Sequence, residues 1–106
     1  MAEKNIDREI LESIRKYIQK ISKYYNIEVI ILFGSYAKGT QNEDSDIDIA
    51  IISSDFDDIF DDMAELIGMT WGIDARIEPH PITTEDYNNI ATPFVQEIID
   101  TGIKVA

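Results

Sequence analysis

The stretch that decides the fold is GSYAKGTQNEDSDID, residues 34–48. It joins a glycine-bounded loop to two carboxylates, Asp46 and Asp48, at the start of a run that alternates like a strand. Successive strand side chains point to opposite faces, so these carboxylates share one face, roughly 6–7 Å apart along the chain. Mg²⁺ prefers oxygen ligands and commonly binds one or two carboxylates together with substrate phosphates. The stretch therefore predicts a site for Mg²⁺ and a nucleotide.

The flanking residues predict a rigid support for this site. Residues 29–33 form a continuous apolar run, typical of a strand buried on both faces. Gly34 allows the chain to leave that strand through backbone angles that other residues avoid. Ser35 is expected to cap a short helical turn whose free N–H groups bind phosphate. Lys38 adds a cation and Gly39 ends the turn.

The following strand is expected to have one apolar and one acidic face. Its apolar face carries Ile47, Ile49 and Ile51. Its other face carries Asp46, Asp48 and Ala50. The alternatives are a solvated acidic turn and a calcium loop. The calcium loop fails because it requires a glycine directly after Asp48 and a closing glutamate, and the sequence has neither.

This combination resembles the nucleotidyltransferase superfamily, whose pattern is Gly-Ser, a few residues, Gly, and Asp-x-Asp on the next strand. Within it, the chain is similar to the minimal nucleotidyltransferases paired with HEPN toxins. The motif covers residues 34–48, and compatible elements run from about 27 to 87. The resemblance implies an α/β (α+β) fold, a small mixed β-sheet flanked by helices. It also implies a single minimal nucleotidyltransferase domain over residues 1–106.

The resemblance further implies a third carboxylate on the next strand, predicted over residues 73–78 and ended by two prolines. Asp74 and Glu78 both suit its polar face. In related chains a Thr-x-Glu-Glu-like helix start follows the acid by five residues, and Thr83 follows Glu78 by that spacing. This favours Glu78, whereas Asp74 is expected to pair with Arg76 or cap a turn. His80 is expected in a loop between the prolines, structural or exposed, with no role in proton transfer.

The expected site therefore consists of Asp46, Asp48 and Glu78 as catalytic and metal-binding residues. Gly34, Ser35, Lys38 and Gly39 are expected to bind the nucleotide. The cofactor implied is Mg²⁺ or Mn²⁺, with ATP as substrate.

The composition limits the partners. The 106 residues include 21 acidic and 9 basic residues, a net charge of −12. Such a surface repels polyanions, so direct nucleic-acid binding is not expected, and a basic partner fits better. The absence of cysteine excludes disulfides and thiolate chemistry. No apolar run reaches membrane-spanning length, and a cytoplasmic location is expected.

Further elements are predicted along the rest of the chain. An apolar stripe predicts a helix over residues 6–25, packed against the sheet. Residues 53–55 are expected to cap an acidic helix that ends near Met69 and backs the same face of the sheet. Trp71 is expected to pack against the sheet edge, and residues 93–100 to form a short C-terminal helix.

The function implied by the resemblance is adenylyl transfer from ATP to a hydroxyl of a partner protein, a HEPN ribonuclease toxin to which this chain is the antitoxin. One alternative is an antitoxin that neutralises its partner by binding alone, without catalysis. Another is an adenylyltransferase that acts on a small molecule. Dependence on a metal ion separates catalysis from binding alone.

Overall fold

The computed structural model describes residues 6–42 and 44–106. Its first element is helix α1, Arg8–Ile21, whose apolar residues recur at the predicted helical spacing. Asp7 caps the helix by accepting a hydrogen bond from the N–H of Glu9 at 3.2 Å. The predicted helix was too long at its C-terminal end. The N–H groups of Tyr24 and Tyr25 both bond to the carbonyl of Ile21, and this turn ends the helix.

Four strands form one mixed sheet in the order β3-β2-β1-β4. They are β1 Val29–Phe33, β2 Ile47–Ser53, β3 Ile77–Thr83 and β4 Ile103–Lys104. Strand β1 is antiparallel to both β2 and β4, whereas β2 and β3 are parallel. The predicted fold class is confirmed. Strand β4 was not predicted because two residues are too short a segment to show a period.

The remaining helices are α2 Ser35–Lys38, α3 Ile59–Gly68, α4 Thr84–Asn89 and α5 Pro93–Thr101. Helices α1 and α3 pack on one face of the sheet, where alternate residues of β1 and β2 are fully buried. Helix α5 packs on the opposite face through Val95 and Ile98. Each fully buried side chain of this size stabilises the fold by about 1.5–3 kcal/mol. No helix within the two described ranges is long and apolar enough to cross a membrane.

Two tyrosines hold α1 and the turn after it against α3. The hydroxyl of Tyr17 donates a buried hydrogen bond of 2.6 Å to the carbonyl of Leu66. The hydroxyl of Tyr25 donates to the carboxylate of Glu65 and, at 3.5 Å, to that of Asp62. Two acidic residues of α3 are therefore hydrogen-bond partners of a core tyrosine, although Glu65 itself remains exposed.

Helix α3 begins later than predicted and buries less apolar surface. The prediction that residues 53–55 cap this helix is wrong. Its N-cap is Asp58, whose carboxylate accepts hydrogen bonds from two backbone N–H groups. Leu66 is its one buried residue, and Phe60 is 87% exposed. The prediction that Trp71 packs against the sheet edge is wrong, since the turn after α3 leaves this side chain 81% exposed.

Strand β3 lies later in the chain than predicted, and both prolines lie inside it. Pro79 and Pro81 were expected to end the strand, yet it continues to Thr83. Among the strands of the described residues it pairs with β2 alone, and so it lies at the edge of that sheet. An edge strand tolerates proline because the missing N–H falls on the side without a neighbouring strand.

Candidate functional site

The two predicted carboxylates lie at the start of β2, on the face of the sheet that α5 covers. Asp48 shares this face with Ala50, which packs in the α5 cluster. The opposite face is filled by buried isoleucines, Ile47, Ile49 and Ile51. Asp46 immediately precedes the strand. Within β2, the predicted separation of Asp48 and Ala50 from the three isoleucines is confirmed, and Asp46 lies just outside the strand.

The segment Gly34–Gly39, here called the glycine loop, begins directly beside Asp48. Gly34 leaves β1 with φ +73° and ψ −150°, a combination that is essentially limited to glycine. A Cβ at this position would lie 2.5 Å from Oδ2 of Asp48. Gly34 is also the N-cap of α2, so the prediction that Ser35 caps this turn is wrong, and Ser35 is the first helical residue. The backbone approaches the carboxylate closely because position 34 has no side chain.

Glu78 brings a third carboxylate from the neighbouring strand. The parallel pairing of β2 with β3 places Asp48 opposite Glu78. Hydrogen bonding with Asp46 raises the pKa of Glu78, and burial and the negative charge of Asp48 raise it further. A carboxyl group whose pKa is raised in the folded state stabilises the fold at low pH and loses that contribution as the pH rises through this pKa. A bound cation would relieve the crowding of these acids.

His80 lies beside Asp48 and Glu78, a position that was not predicted from the sequence. It lies in β3, not in a loop, and its Nε2 is 3.4 Å from Oδ1 of Asp48 and 3.9 Å from Oε1 of Glu78. Its ring lies against those of Phe33 and Phe94, with centroid distances of 5.0 and 5.7 Å. The sequence does contain one indication of this position, the two-residue spacing between Glu78 and His80. Such a spacing places two side chains on one face of a strand, but it could be used only if the prolines were assigned to the strand.

The donor atoms of this group fit a divalent cation. One ligand atom each from Asp48, Glu78 and His80 lies within 4.8 Å of the others. The side chains of His80 and Asp48 are 22% and 24% exposed and that of Glu78 is 46% exposed, so all three are partly buried and still accessible to solvent. Carboxylate oxygens suit hard divalent cations, and an imidazole nitrogen suits first-row transition metals.

A comparison with family models decides what kind of protein this site belongs to. The model described as "Polymerase beta, Nucleotidyltransferase" matches residues 13–106, which include β1, β2, β3 and the glycine loop. The chain belongs to this nucleotidyltransferase family.

Relatives of this chain include a Methanocaldococcus jannaschii protein that is provisionally named a protein adenylyltransferase. The two are 35% identical over an alignment of 96 positions, which covers 86% of this chain and 92% of the relative. The protein adenylyltransferase MntA of Shewanella oneidensis is 41% identical over 49 residues, 46% of this chain and 31% of MntA. Two further M. jannaschii relatives match over 43 residues, so the matched part of this chain spans 50% and 43% of their lengths.

A solved structure described as a toxin–antitoxin with AMP-PNP has a fold similar to that of this chain. It superimposes with a TM-score of 0.64 at 26% sequence identity, covering 91% of this chain and 72% of that one.

The rest of the glycine loop is more exposed than its start. Lys38 ends α2, and its Nζ lies 3.5 Å from Oε1 of Glu97 in a solvent-exposed pair. Gly39 follows with φ +74° and ψ +20°, the left-handed conformation that ends the turn as predicted. The contact with Glu97 holds Lys38 only weakly, since exposed pairs contribute about 1 kcal/mol or less.

Asp74, the other candidate for the third carboxylate, has a structural role. It lies in the turn before β3, and its Oδ2 and Oδ1 accept hydrogen bonds from Arg76 Nη2 and Nε at 2.8 and 3.0 Å. The hydroxyl of Ser13 on α1 also donates to it at 2.9 Å. These contacts confirm the alternative in which Asp74 pairs with Arg76, and the register brings Glu78, not Asp74, opposite Asp48.

Replacing Asp74 with Asn is expected to destabilise the fold by about 2 kcal/mol at neutral pH. Hydrogen bonding to Arg76 lowers the pKa of Asp74 to about 2. This contribution is present above the unfolded-state pKa of about 3.9 and is lost as the pH falls toward 2. Urea unfolding of both proteins at several pH values measures the difference, which should shrink in acid. The exposed Asp100→Asn serves as control and should change stability by less than about 0.5 kcal/mol. An equal loss in both variants would contradict the role of the Arg76 pair.

Proposed function

We propose that this chain transfers AMP from ATP to a hydroxyl group of a partner protein, with Mg²⁺ or Mn²⁺ as cofactor. The observation that supports the proposal best is the register of Asp48 with Glu78, together with the contact between Gly34 and Asp48. A cation held by these carboxylates would therefore lie next to the glycine loop, which the phosphate chain of ATP can approach.

The carboxylates of Asp46, Asp48 and Glu78 would hold the cation. A divalent ion bound there supplies charge that stabilises the attacking and leaving oxygens of a phosphoryl-type displacement. The strands keep these carboxylates in fixed positions because the residues that flank Asp48 in β2 are fully buried. Positioning of this kind contributes to rate by reducing the entropy that must be lost before reaction.

The loop from Gly34 to Gly39 would bind the phosphates of ATP. Gly34 gives close access to the backbone beside Asp48, the hydroxyl of Ser35 offers a hydrogen bond, and Lys38 offers a positive charge. In the reaction, the acceptor oxygen forms a bond to the α-phosphorus while the bond from that phosphorus to the bridging oxygen breaks. Pyrophosphate leaves with the electron pair, the hydroxyl proton is released, and no covalent intermediate with this chain is needed.

The proposed acceptor is a HEPN-type ribonuclease toxin in the cytoplasm, modified on a tyrosine hydroxyl. Support comes from the relatives, which carry the names protein adenylyltransferase and toxin–antitoxin. The net charge of −12 favours a basic protein partner over a nucleic acid. In this proposal, transfer of AMP inactivates the toxin, so the chain acts as an antitoxin.

Incubation with radiolabelled ATP, Mg²⁺ and the protein encoded by the neighbouring gene tests this function. We expect AMP on the partner, located by mass spectrometry, and no transfer in EDTA. Glu78→Gln should lower transfer by about a hundred-fold or more, because a neutral amide holds a divalent cation poorly. Asp74→Asn should retain transfer at a temperature at which it is folded.

Two outcomes would reject parts of this proposal. If Glu78→Gln stays active and Asp74→Asn is inactive while folded, the third carboxylate is Asp74. If every variant of Asp46, Asp48 and Glu78 still suppresses the toxicity of the partner in cells, the chain neutralises its partner by binding and not by catalysis.

A further inference from the structure

We propose that His80 supplies a nitrogen ligand to the cation held by Asp48 and Glu78, and that this ligand makes the site select Mn²⁺ over Mg²⁺. The inference rests on the proposed function for the presence of a cation. The three carboxylates predicted from the sequence do not include this ligand, and they do not by themselves determine which metal the site prefers.

The position of the imidazole carries the inference. Its Nε2 is 3.4 Å from a carboxylate oxygen of Asp48 and 3.9 Å from one of Glu78, so the same atom faces both acids. In β3, His80 is two residues after Glu78, which places both side chains on one face of the strand. The donor atoms of all three residues lie within 4.8 Å of one another, a spread that one ion can bridge with small movements.

The aromatic neighbours hold the ring in this orientation. Phe33 on β1 meets the imidazole edge-on at a centroid distance of 5.0 Å, and Phe94 on α5 lies 5.7 Å away. The two phenyl rings also contact each other at 5.5 Å. His80 is 22% exposed, so its ring has little freedom to turn away. A ligand fixed in this way loses little side-chain entropy when it binds an ion.

The chemistry of the donors predicts the metal preference. Mg²⁺ demands near-octahedral oxygen coordination and gives up its waters reluctantly, so a nitrogen ligand adds little to its affinity. An imidazole nitrogen adds more to the affinity of first-row transition metals than to that of Mg²⁺, and Mn²⁺, although the weakest binder of that series, also accepts the carboxylates and phosphates of this site. A site with two or three carboxylates and one imidazole therefore discriminates between these two ions more strongly than a site with carboxylates alone.

Mn²⁺ is the probe for a direct test, because its electron spin reports the nuclei bound to it. His80 is the one histidine of the chain, so labelling histidine with ¹⁵N marks a single imidazole. Electron spin echo modulation of Mn²⁺ bound to the wild-type protein should show a coupled nitrogen that changes on ¹⁵N labelling. In His80→Phe, which keeps an aromatic ring between Phe33 and Phe94, this coupling should be absent.

The second part of the test compares the affinities of the wild type and the His80 variants for Mn²⁺ and Mg²⁺. His80→Phe should bind Mn²⁺ about ten-fold more weakly, while its affinity for Mg²⁺, measured by competition, changes less than about threefold. His80→Asn is a second variant in case the phenyl ring disturbs the fold, which circular dichroism will report. If the wild type shows no nitrogen coupling, or if the Mn²⁺ to Mg²⁺ ratio is unchanged in the folded variant, the proposal is wrong and His80 only positions Asp48. The result is independent of catalysis: a chain that transfers no AMP would still show the nitrogen coupling if the ligand assignment is right.

Discussion

Asp48→Asn is expected to lower AMP transfer by about a thousand-fold or more without destabilising the protein. A Cβ on Gly34 would lie 2.5 Å from Asp48, Glu78 lies opposite Asp48 in the sheet, and His80 is 3.4 Å away, so the start of the loop and two side chains of β3 converge on this carboxylate. An amide oxygen carries no net charge and binds a divalent cation weakly, and a thousand-fold loss corresponds to about 4 kcal/mol of transition-state stabilisation.

The stability of this variant separates a functional from a structural role. Without metal, removal of the Asp48 charge lowers the repulsion that raises the pKa of Glu78. The melting temperature should therefore stay level or rise in the metal-free protein. The rise in melting temperature that Mn²⁺ produces in the wild type, as expected for a ligand that binds only the folded state, should be lost.

Asp74→Asn is the matched control for Asp48→Asn, with the opposite expected pattern. It removes a carboxylate from a turn and not from the site, so stability should fall while transfer by the folded protein persists. Transfer rates and thermal melts of both variants, with and without Mn²⁺, give the comparison. A strongly destabilised Asp48→Asn, with transfer reduced only in proportion, would mean that Asp48 serves the fold.

The central strands were predictable because their signals are local and agree with their packing. Val29–Phe33 is apolar throughout, and the structure buries it from both faces, as a continuous run requires. The alternation after Asp46 has period two, and β2 uses it to separate carboxylates from isoleucines. A register slip by one residue would have turned Asp48 toward the core formed with α1 and α3, so the sequence leaves one arrangement.

The edge strand could not be predicted, because its tolerance for proline depends on the sheet. Pro79 and Pro81 end a strand in most contexts, and only an edge position without a further neighbour allows them inside β3. His80 was assigned to a loop for the same reason. Its contact with Asp48 arises from the parallel pairing of two segments about thirty residues apart, which no local pattern contains.

The burial of helix α3, the acidic helix, could not be predicted from its sequence for a different reason. Its apolar residues recur at spacings that suit a buried face, yet Leu66 alone among them is buried, and Phe60 points to solvent. Periodicity predicts that a helix forms and does not determine how much of its apolar face the sheet can cover. The cap at Asp58 was misplaced because Ser53 and Asp55 suit a cap equally well by residue type.

Gly34→Ala is expected to reduce AMP transfer by about a hundred-fold or more, although the substitution adds one methyl group and no charge. The new Cβ would lie 2.5 Å from Oδ2 of Asp48, and ordinary contact begins near 3.4 Å. Either the carboxylate or the loop must move by roughly 1 Å, a displacement that can cost a hundred-fold in rate at a reacting site. The backbone conformation at Gly34, φ +73° and ψ −150°, adds a strain of about 1–3 kcal/mol for alanine.

Gly72→Ala separates the effect of strain from the effect of contact. Gly72 has φ +79°, so alanine is strained there too, but no atom lies within 4 Å of the added Cβ. Both variants should melt at lower temperature than the wild type, and only Gly34→Ala should lose transfer and Mn²⁺ affinity when assayed well below its melting temperature. Equal transfer by the two folded variants would show that the loop does not need to approach Asp48 this closely. A specific loss in Gly34→Ala would mean that the missing side chain at position 34 is itself a requirement of the site, since it keeps the backbone within reach of the phosphates beside the metal-binding carboxylate.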